Sequence, residues 1–246
     1  MNSATIGQSA ASGAKLGQQD DYVNDMAEVH QFSEAELRRL KIVHSGLKSG
    51  GLLKTFRDLR TQVAGLANGR NYSCLVCSVV SGGGASYIAR NLAASVALDK
   101  SKSSIIVDAN FYQPSAHELI VTDADQGLTD LIGENSLQVE DVVYATGLPR
   151  VRVLPVGGNR EGATERLSSQ RMKELTVELK TRYRDRYVFF DGPSVAESLA
   201  DVRLLSSLCD FTLLVVPYGE VTEEQIEEAS EAISKNKLAG LVFNYR

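Results

Sequence analysis

The stretch that most constrains this chain is Cys74 to Ala93, CLVCSVVSGGGASYIARNLA. An apolar run comes first, then three consecutive glycines, then apolar residues at helical spacing. Strand, glycine loop and helix in that order form a phosphate cradle. The loop N–H groups point at the anion, and the helix N-terminus adds a partial positive charge. A working loop of this kind reads G-x-x-x-x-G-K-[ST]. Here Val79 takes the first position, Gly84 the sixth, Ala85 the seventh and Ser86 the eighth. The shape of a nucleotide site is kept, and the lysine that gives it charge is missing.

Around this core, strand and helix patterns alternate. Apolar strands are expected at 74–79, 104–107, 151–155, 187–190, 211–216 and 241–243. Helices are expected at 86–98, 128–132, 169–182, 200–208 and 222–235. Ile88, Leu92, Ala93 and Val96 form the inner stripe of the first helix, and Met172, Leu175 and Leu179 that of the third. Such alternation predicts an α/β fold: a mostly parallel sheet with helices on both faces and right-handed crossovers. Two helices precede it. Ser33 and Glu36 have capping-box spacing at the start of the first. In the second, 52–66, Leu52, Phe56, Leu59 and Val63 form the buried face. Arg57 and Arg60 lie on another flank, which spacing alone reads as a solvated basic face. Residues 1–32 are small and polar and read as a mobile tail. No linker divides 33–246, so this is one domain, with helices over 33–70 and the nucleotide-site core over 71–246.

The chain has 246 residues, a net charge of −5 and a pI of about 5.3, which argues against nucleic acid as a main partner. No apolar run approaches the ~20 residues of a membrane span. The N-terminus lacks the layout of a signal peptide, so a cytoplasmic chain without membrane insertion is expected. Cys74 and Cys77 make a C-x-x-C, but residues three apart on a strand face opposite ways. With no second pair to complete a zinc set, they read as buried structural thiols. His30, His44 and His117 are scattered and carry no ligand role.

In a parallel sheet ligands sit at the carboxyl ends of the strands. Three features converge there: the loop 81–86, Asp108-Ala109-Asn110 past one strand, and Asp191-Gly192-Pro193 past another. In such a site Ser86 would place its hydroxyl on Mg²⁺ and Asp191 would hold that metal. Asp108 would orient water or metal from the other side. Backbone groups of Gly82, Gly83, Gly84, Ala85 and Ser86 would contact phosphate oxygens.

With these motifs in place, the chain from about Phe32 to Arg246 resembles the bacterial tyrosine kinase (BY-kinase) family of capsule and exopolysaccharide biosynthesis. That family lies in the MinD/ParA-like branch of P-loop proteins. The loop and the following Asn91-Leu92-Ala93 resemble the family's P-x-G-x-G-K-S-T loop and N-L-A helix. Asp108-Ala109-Asn110 with Gln113-Pro114 resembles D-x-D followed by R-P. Asp191-Gly192-Pro193-Ser194 resembles the Walker B D-x-P-P, and Asp201 a later acid before an apolar helix. The strand V-V-P-Y-G before the acidic helix also fits. The resemblance implies that Asn244 reads the adenine base. It also implies that Arg57 and Arg60, in F-R-x-L-R-T, belong to an oligomerisation motif, E-x-x-R-x-x-R.

The departures are specific. The loop lysine is Ala85 and the next threonine is Tyr87. The second acid is Asn110, and the arginine near it gives way to Tyr112 or Gln113. The glutamate of the oligomerisation motif falls at Lys54. One tyrosine, Tyr245, stands where the family has a tyrosine-rich tail. Tyr87 and Tyr112 are expected to add bulk near the pocket, and Arg90, one turn along, to point away from it. The resemblance with these losses implies a non-catalytic partner in polysaccharide assembly, in which ATP or ADP with Mg²⁺ binds weakly or not at all. It would be recruited to the inner face of the cytoplasmic membrane by an inner-membrane co-polymerase (chain-length) protein or a paralogous kinase, or would self-associate. The alternatives are an active tyrosine autokinase or ATPase with an atypical loop, and a MinD/ParA-like positioning protein. Against the last stand Val80 and Ala85, where that branch has lysines.

Overall fold

A computed structural model describes residues 31–47, 50–134 and 136–245. The expected tail, 1–32, lies almost wholly outside them. Two helices open the described chain, α1 (Glu34–Arg39) and α2 (Gly50–Leu66). The core follows: β1 (Ser73–Ser78), α3 (Ala85–Ala97), β2 (Ser103–Asp108), α4 (Leu128–Gly133), α5 (Val139–Val142), β3 (Tyr144–Ala145), β4 (Val151–Leu154), α6 (Ala163–Arg166), α7 (Gln170–Thr181), β5 (Arg186–Ser194), α8 (Leu199–Leu208), β6 (Phe211–Pro217), α9 (Glu223–Glu231) and β7 (Leu238–Asn244). The sheet order is β3-β4-β2-β5-β1-β6-β7, parallel except for the β3–β4 pair.

β1 lies at the centre, between β5 and β6, so its residues are buried on both faces. Cys74 and Val76 face the layer made by α2 and α3, and Leu75 and Cys77 face the opposite layer with α4, α7 and α8. The two cysteines therefore belong to separate cores, as alternation demands, and both are free and buried. Burying so continuous an apolar run needs helices on both sides, which this topology supplies.

Several expectations shift in detail. In α2, Leu53 rather than Leu52 joins Phe56 and Val63 in the core, and Leu52 is 42% exposed. Phe56 and Val63 are buried and Leu59 packs partly buried against the core, as expected, so only the first position of the stripe moves, from Leu52 to Leu53. β5 does not stop at Phe190. It runs through Asp191 to Ser194, because β1 stays paired across an irregularity between Val76 and Ser78 that takes up Gly192-Pro193. A Cβ on Gly192 would lie 2.7 Å from Leu75 Cδ1, so any larger residue there would have to displace that buried side chain. α9 keeps its Thr222 cap but ends at Glu231, four residues early. It carries acidic side chains and no basic one in its last turn, which opposes the helix dipole. β7 is longer than expected.

The cap signals hold. Ser33 and Glu36 exchange both capping-box bonds, and Ser169 accepts from Met172 N. The asparagine of Asn91-Leu92-Ala93 turns out to be a brace. Buried in α3, it accepts from Val43 N at 2.7 Å and donates to Lys41 O and Tyr87 O, tying the segment after α1 to the loop helix. Among the described residues no helix is long and apolar enough to cross a membrane.

Candidate nucleotide site

The site forms at the carboxyl ends of β1, β2 and β5. Gly84 sits at φ +101°, a left-handed backbone that favours glycine, and ends the loop as the N-cap of α3. A Cβ there would collide with Asn244 Nδ2, and one on Gly83 would lie 2.9 Å from Val80 O. The cradle is thus built for bare backbone. Asn244, at the end of β7, donates to Gly83 O at 3.0 Å, so the residue expected to read a base is tied to the loop itself.

Ser86 Oγ donates to Asp191 Oδ1 at 3.0 Å. Asp191 is fully buried, and its Oδ2 has no partner. Burial and the neighbouring Asp108 push its carboxyl up to about 8. The two acids are register partners on adjacent strands, β2 and β5. An orphaned buried oxygen beside a serine hydroxyl fits a Mg²⁺ ion that takes only one or two protein ligands and completes its shell with water and phosphate. Among the described residues no group of three or more His, Cys, Asp or Glu side chains gathers as a metal cage, in keeping with such a sparse site.

Asp108 is engaged differently. Its Oδ2 accepts from Ser115 N and Ala116 N, both at 2.8 Å, and its Oδ1 accepts from Asn110 N. Burial raises its pKa, while these N–H groups and Arg90 lower it. It holds the loop after β2. Arg90 grips the same loop from α3, bonding Glu118 at 2.8 Å and the Ser115 carbonyl. Arg90 therefore points away from the phosphate cradle, as expected, but is not idle: it acts as a loop anchor behind the acids.

The two tyrosines do not crowd the pocket together. Tyr87 turns its ring edge-on to Phe56 of α2, at 5.9 Å between centroids, and so joins the helix–helix contact instead of the loop front. Helix geometry decides this, since Tyr87 is one residue beyond Ser86 and faces α2. Tyr112 reaches Asp201 through its hydroxyl at 3.1 Å, linking the loop after β2 to α8. On α2, Arg57 is exposed, whereas Arg60 is half-buried and donates to Ser95 O at 2.6 Å, clamping α2 onto α3.

One feature had no signal in the sequence. Glu197, just after β5, accepts from Ser81 Oγ and Gln113 Nε2, both at 3.0 Å, and Gln113 also donates to Ser81 Oγ. Three loops distant in sequence meet there, and a carboxylate stands at the entrance to the glycine loop. The site thus brings together a serine–aspartate pair that could hold a metal and a glycine loop with its backbone bare. Ala85, buried at the first position of α3, stands where a working loop has its lysine.

No family model matches the chain. The tyrosine-protein kinase YwqD of Bacillus subtilis is 31% identical over 192 residues, covering 77% of this chain and 79% of that one. The tyrosine-protein kinase ptk of Acinetobacter johnsonii is 26% identical over 194 residues, 78% of this chain and 25% of that protein, so the chain spans about a quarter of that longer relative. Among solved structures, the chimerical protein CapA2B2 superposes with a TM-score of 0.73 at 25% identity, over 87% of this chain and 91% of that one. The septum site-determining protein MinD of Pyrococcus horikoshii, complexed with Mg-ADP, shares the fold at a TM-score of 0.56 and 20% identity, over 70% and 68% of the two chains.

Proposed function

The chain belongs to the bacterial tyrosine-protein kinase family, and from that premise we propose that it is a degenerate, non-catalytic member acting in exopolysaccharide or capsule assembly and export. On this reading it works at the inner face of the cytoplasmic membrane. There it binds an inner-membrane co-polymerase (chain-length) protein or a paralogous kinase and modulates polymer length or export.

The observation that carries the proposal is the seventh loop position. Ala85 is buried there, and the cation farther along the same helix, Arg90, is committed to Glu118 and Ser115. A charged hydrogen bond contributes about 1.5–3 kcal/mol. The contribution of a loop lysine grows as charge develops on a transferred phosphoryl group. Its loss weakens ATP and ADP binding and slows transfer further. Magnesium, when bound, would neutralise phosphate charge, and Ser86 and Asp191 would hold it. Arg57 is the exposed member of its motif and the better candidate for self-association or docking onto a kinase ring. Arg60 has an internal role.

The intact Ser86–Asp191 pair favours a second reading, an active kinase whose substrate tyrosines lie on another chain. Incubation with Mg·ATP separates the two. The non-catalytic protein forms no ADP and no phosphotyrosine, on itself or on a co-purified partner, beyond what Asp191→Ala forms. It also supports normal polymer length in a deletion strain whether or not Asp191 is intact. Activity that Asp191→Ala abolishes would overturn the proposal.

A further inference from the structure

The amino end of the sheet, opposite the glycine loop, presents a row of cations. Six of the seven strands run parallel, so the loops that enter them lie along one edge. Lys100 precedes β2, Arg184 precedes β5, Arg70 precedes β1 and Lys235 precedes β7. All four are exposed, and their side chains make no ion pair or hydrogen bond among the described residues. In the strand order β2-β5-β1-β6-β7 they span about 20 Å at ~4.8 Å per strand.

Two of the acids on this rim pair with a lysine, and a third, Asp185, is held by a serine hydroxyl and keeps its charge. Asp210 accepts from Ser73 N at 2.9 Å and pairs with Lys180 at 3.0 Å. Asp99 takes Ser101 and Lys102. Asp185 accepts from Ser103 Oγ. None of the four cations is in an ion pair among the described residues, so with Asp185 the one unpaired acid of these three the row stays net positive, although the whole chain carries a net charge of −5. At the centre of the row lies a hollow of about 480 Å³, lined by Arg70, Lys180 and Arg184, with Leu66 half exposed beside them.

We propose that this amino-end rim is a peripheral docking face for an anionic phospholipid surface. A straight row of cations across the end of a sheet meets a charged plane all at once. The acidic loops at the other end are repelled by that plane, so the molecule is oriented with the glycine loop away from the lipid, toward soluble partners. Single-stranded nucleic acid fits less well, because its binding uses open aromatic faces for stacking. The rim tyrosines are covered: Arg186 lies 4.0 Å over Tyr183 and Lys102 lies 5.8 Å over Tyr187. Such docking is electrostatic and involves no insertion.

The test is flotation of the full 246-residue chain with phosphatidylcholine vesicles, with and without phosphatidylglycerol. Binding is expected only with phosphatidylglycerol and only at low salt, since screening is nearly complete at ~3 Å in 1 M salt. Each basic side chain near such a surface contributes about fivefold to partitioning, so losing four should lower it by at least several hundredfold, and reversal to Glu by more. The variants are Arg70→Glu, Lys100→Glu, Arg184→Glu and Lys235→Glu, together and singly. The single variants keep the test decisive if the combined one fails to fold. Arg39→Glu with Arg203→Glu, away from the rim, should change nothing. Failure to float with phosphatidylglycerol, equal flotation of the rim variants, or tighter binding to duplex DNA at the same salt would overturn the inference.

Discussion

The two ends of the sheet treat their acids in opposite ways, one fully buried and one about one-third exposed. At the carboxyl end Asp191 makes no ion pair, and Arg90, committed to Glu118 and the Ser115 carbonyl, lowers its pKa only in part. Burial and Asp108 push its carboxyl up to about 8. At the amino end burial also acts on Asp210, but the Ser73 N–H and Lys180 outweigh it and hold its carboxyl below the ordinary value. One end has acids whose nearest cation, Arg90, is paired with another carboxylate, and the other has exposed cations outside any ion pair among the described residues. In a phosphate-handling site one expects the reverse. Charge that would hold a phosphate in the loop is absent there, and the molecule's exposed positive charge faces the other way. The contrast sets a Ser86–Asp191 hydrogen bond and a buried acid pair at one end against exposed cations at the other.

The largest expected effect falls on the metal pair. Replacing Asp191 with Ala should remove Mg²⁺ dependence from whatever nucleotide binding remains, measured by titration with and without metal. Residual Mg²⁺ dependence would show that Asp108 or another acid holds the ion.

Next comes the pH response of stability. A native acid with a raised pKa binds more protons than the unfolded chain between about 4 and 8, so stability falls as pH rises through that window. Asp191→Asn should flatten the fall and raise the melting temperature at pH 8 more than at pH 5. Asp210 works with the opposite sign: its contribution is present above the ordinary carboxyl value and is lost as pH falls through its lowered one. Lys180→Ala should therefore lower stability at neutral pH, and the loss should shrink as pH falls through the lowered carboxyl value. Because both partners are about one-third exposed, that loss should be no more than about 1 kcal/mol. Equal pH slopes for wild type and Asp191→Asn would erase the contrast between the two ends.

A smaller effect is expected at the loop entrance. Glu197→Gln keeps the size of the side chain and removes a negative charge beside Ser81. It should improve Mg·ADP affinity severalfold, in line with a partly screened charge near phosphate. No change would mean that the carboxylate stays turned from the ligand.

Much of this could be read from residue order alone. The glycine loop, the two strand-end acids and the caps at Ser33, Ser169 and Thr222 are local signals, each fixed by residues within a few positions. The helical stripes of α3 and α7 came through for the same reason. The first position of the α2 stripe and the tertiary partners did not. Leu52 and Leu53 are both apolar and adjacent, and only packing against α3 chooses between them. Tyr87 reads as pocket filler until α2 is placed beside it. Asp108 reads as a metal acid until the loop from Asn110 to Ala116 folds back onto its oxygens. Glu197 carries no motif, because Ser81 and Gln113 reach it from other loops. The basic rim is likewise invisible in sequence, its cations scattered from 70 to 235 and gathered only by parallel strand order.

The measurement that tests the account most directly is calorimetric titration of wild type and Ala85→Lys with Mg·ATP and Mg·ADP. A cradle complete except for its cation predicts weak or undetectable binding to wild type. Ala85→Lys should gain about ten- to a hundredfold, the equivalent of one charged hydrogen bond. Tight binding to wild type that Ala85→Lys leaves unchanged would contradict it, for then the loop backbone and metal pair suffice and Ala85 marks no loss.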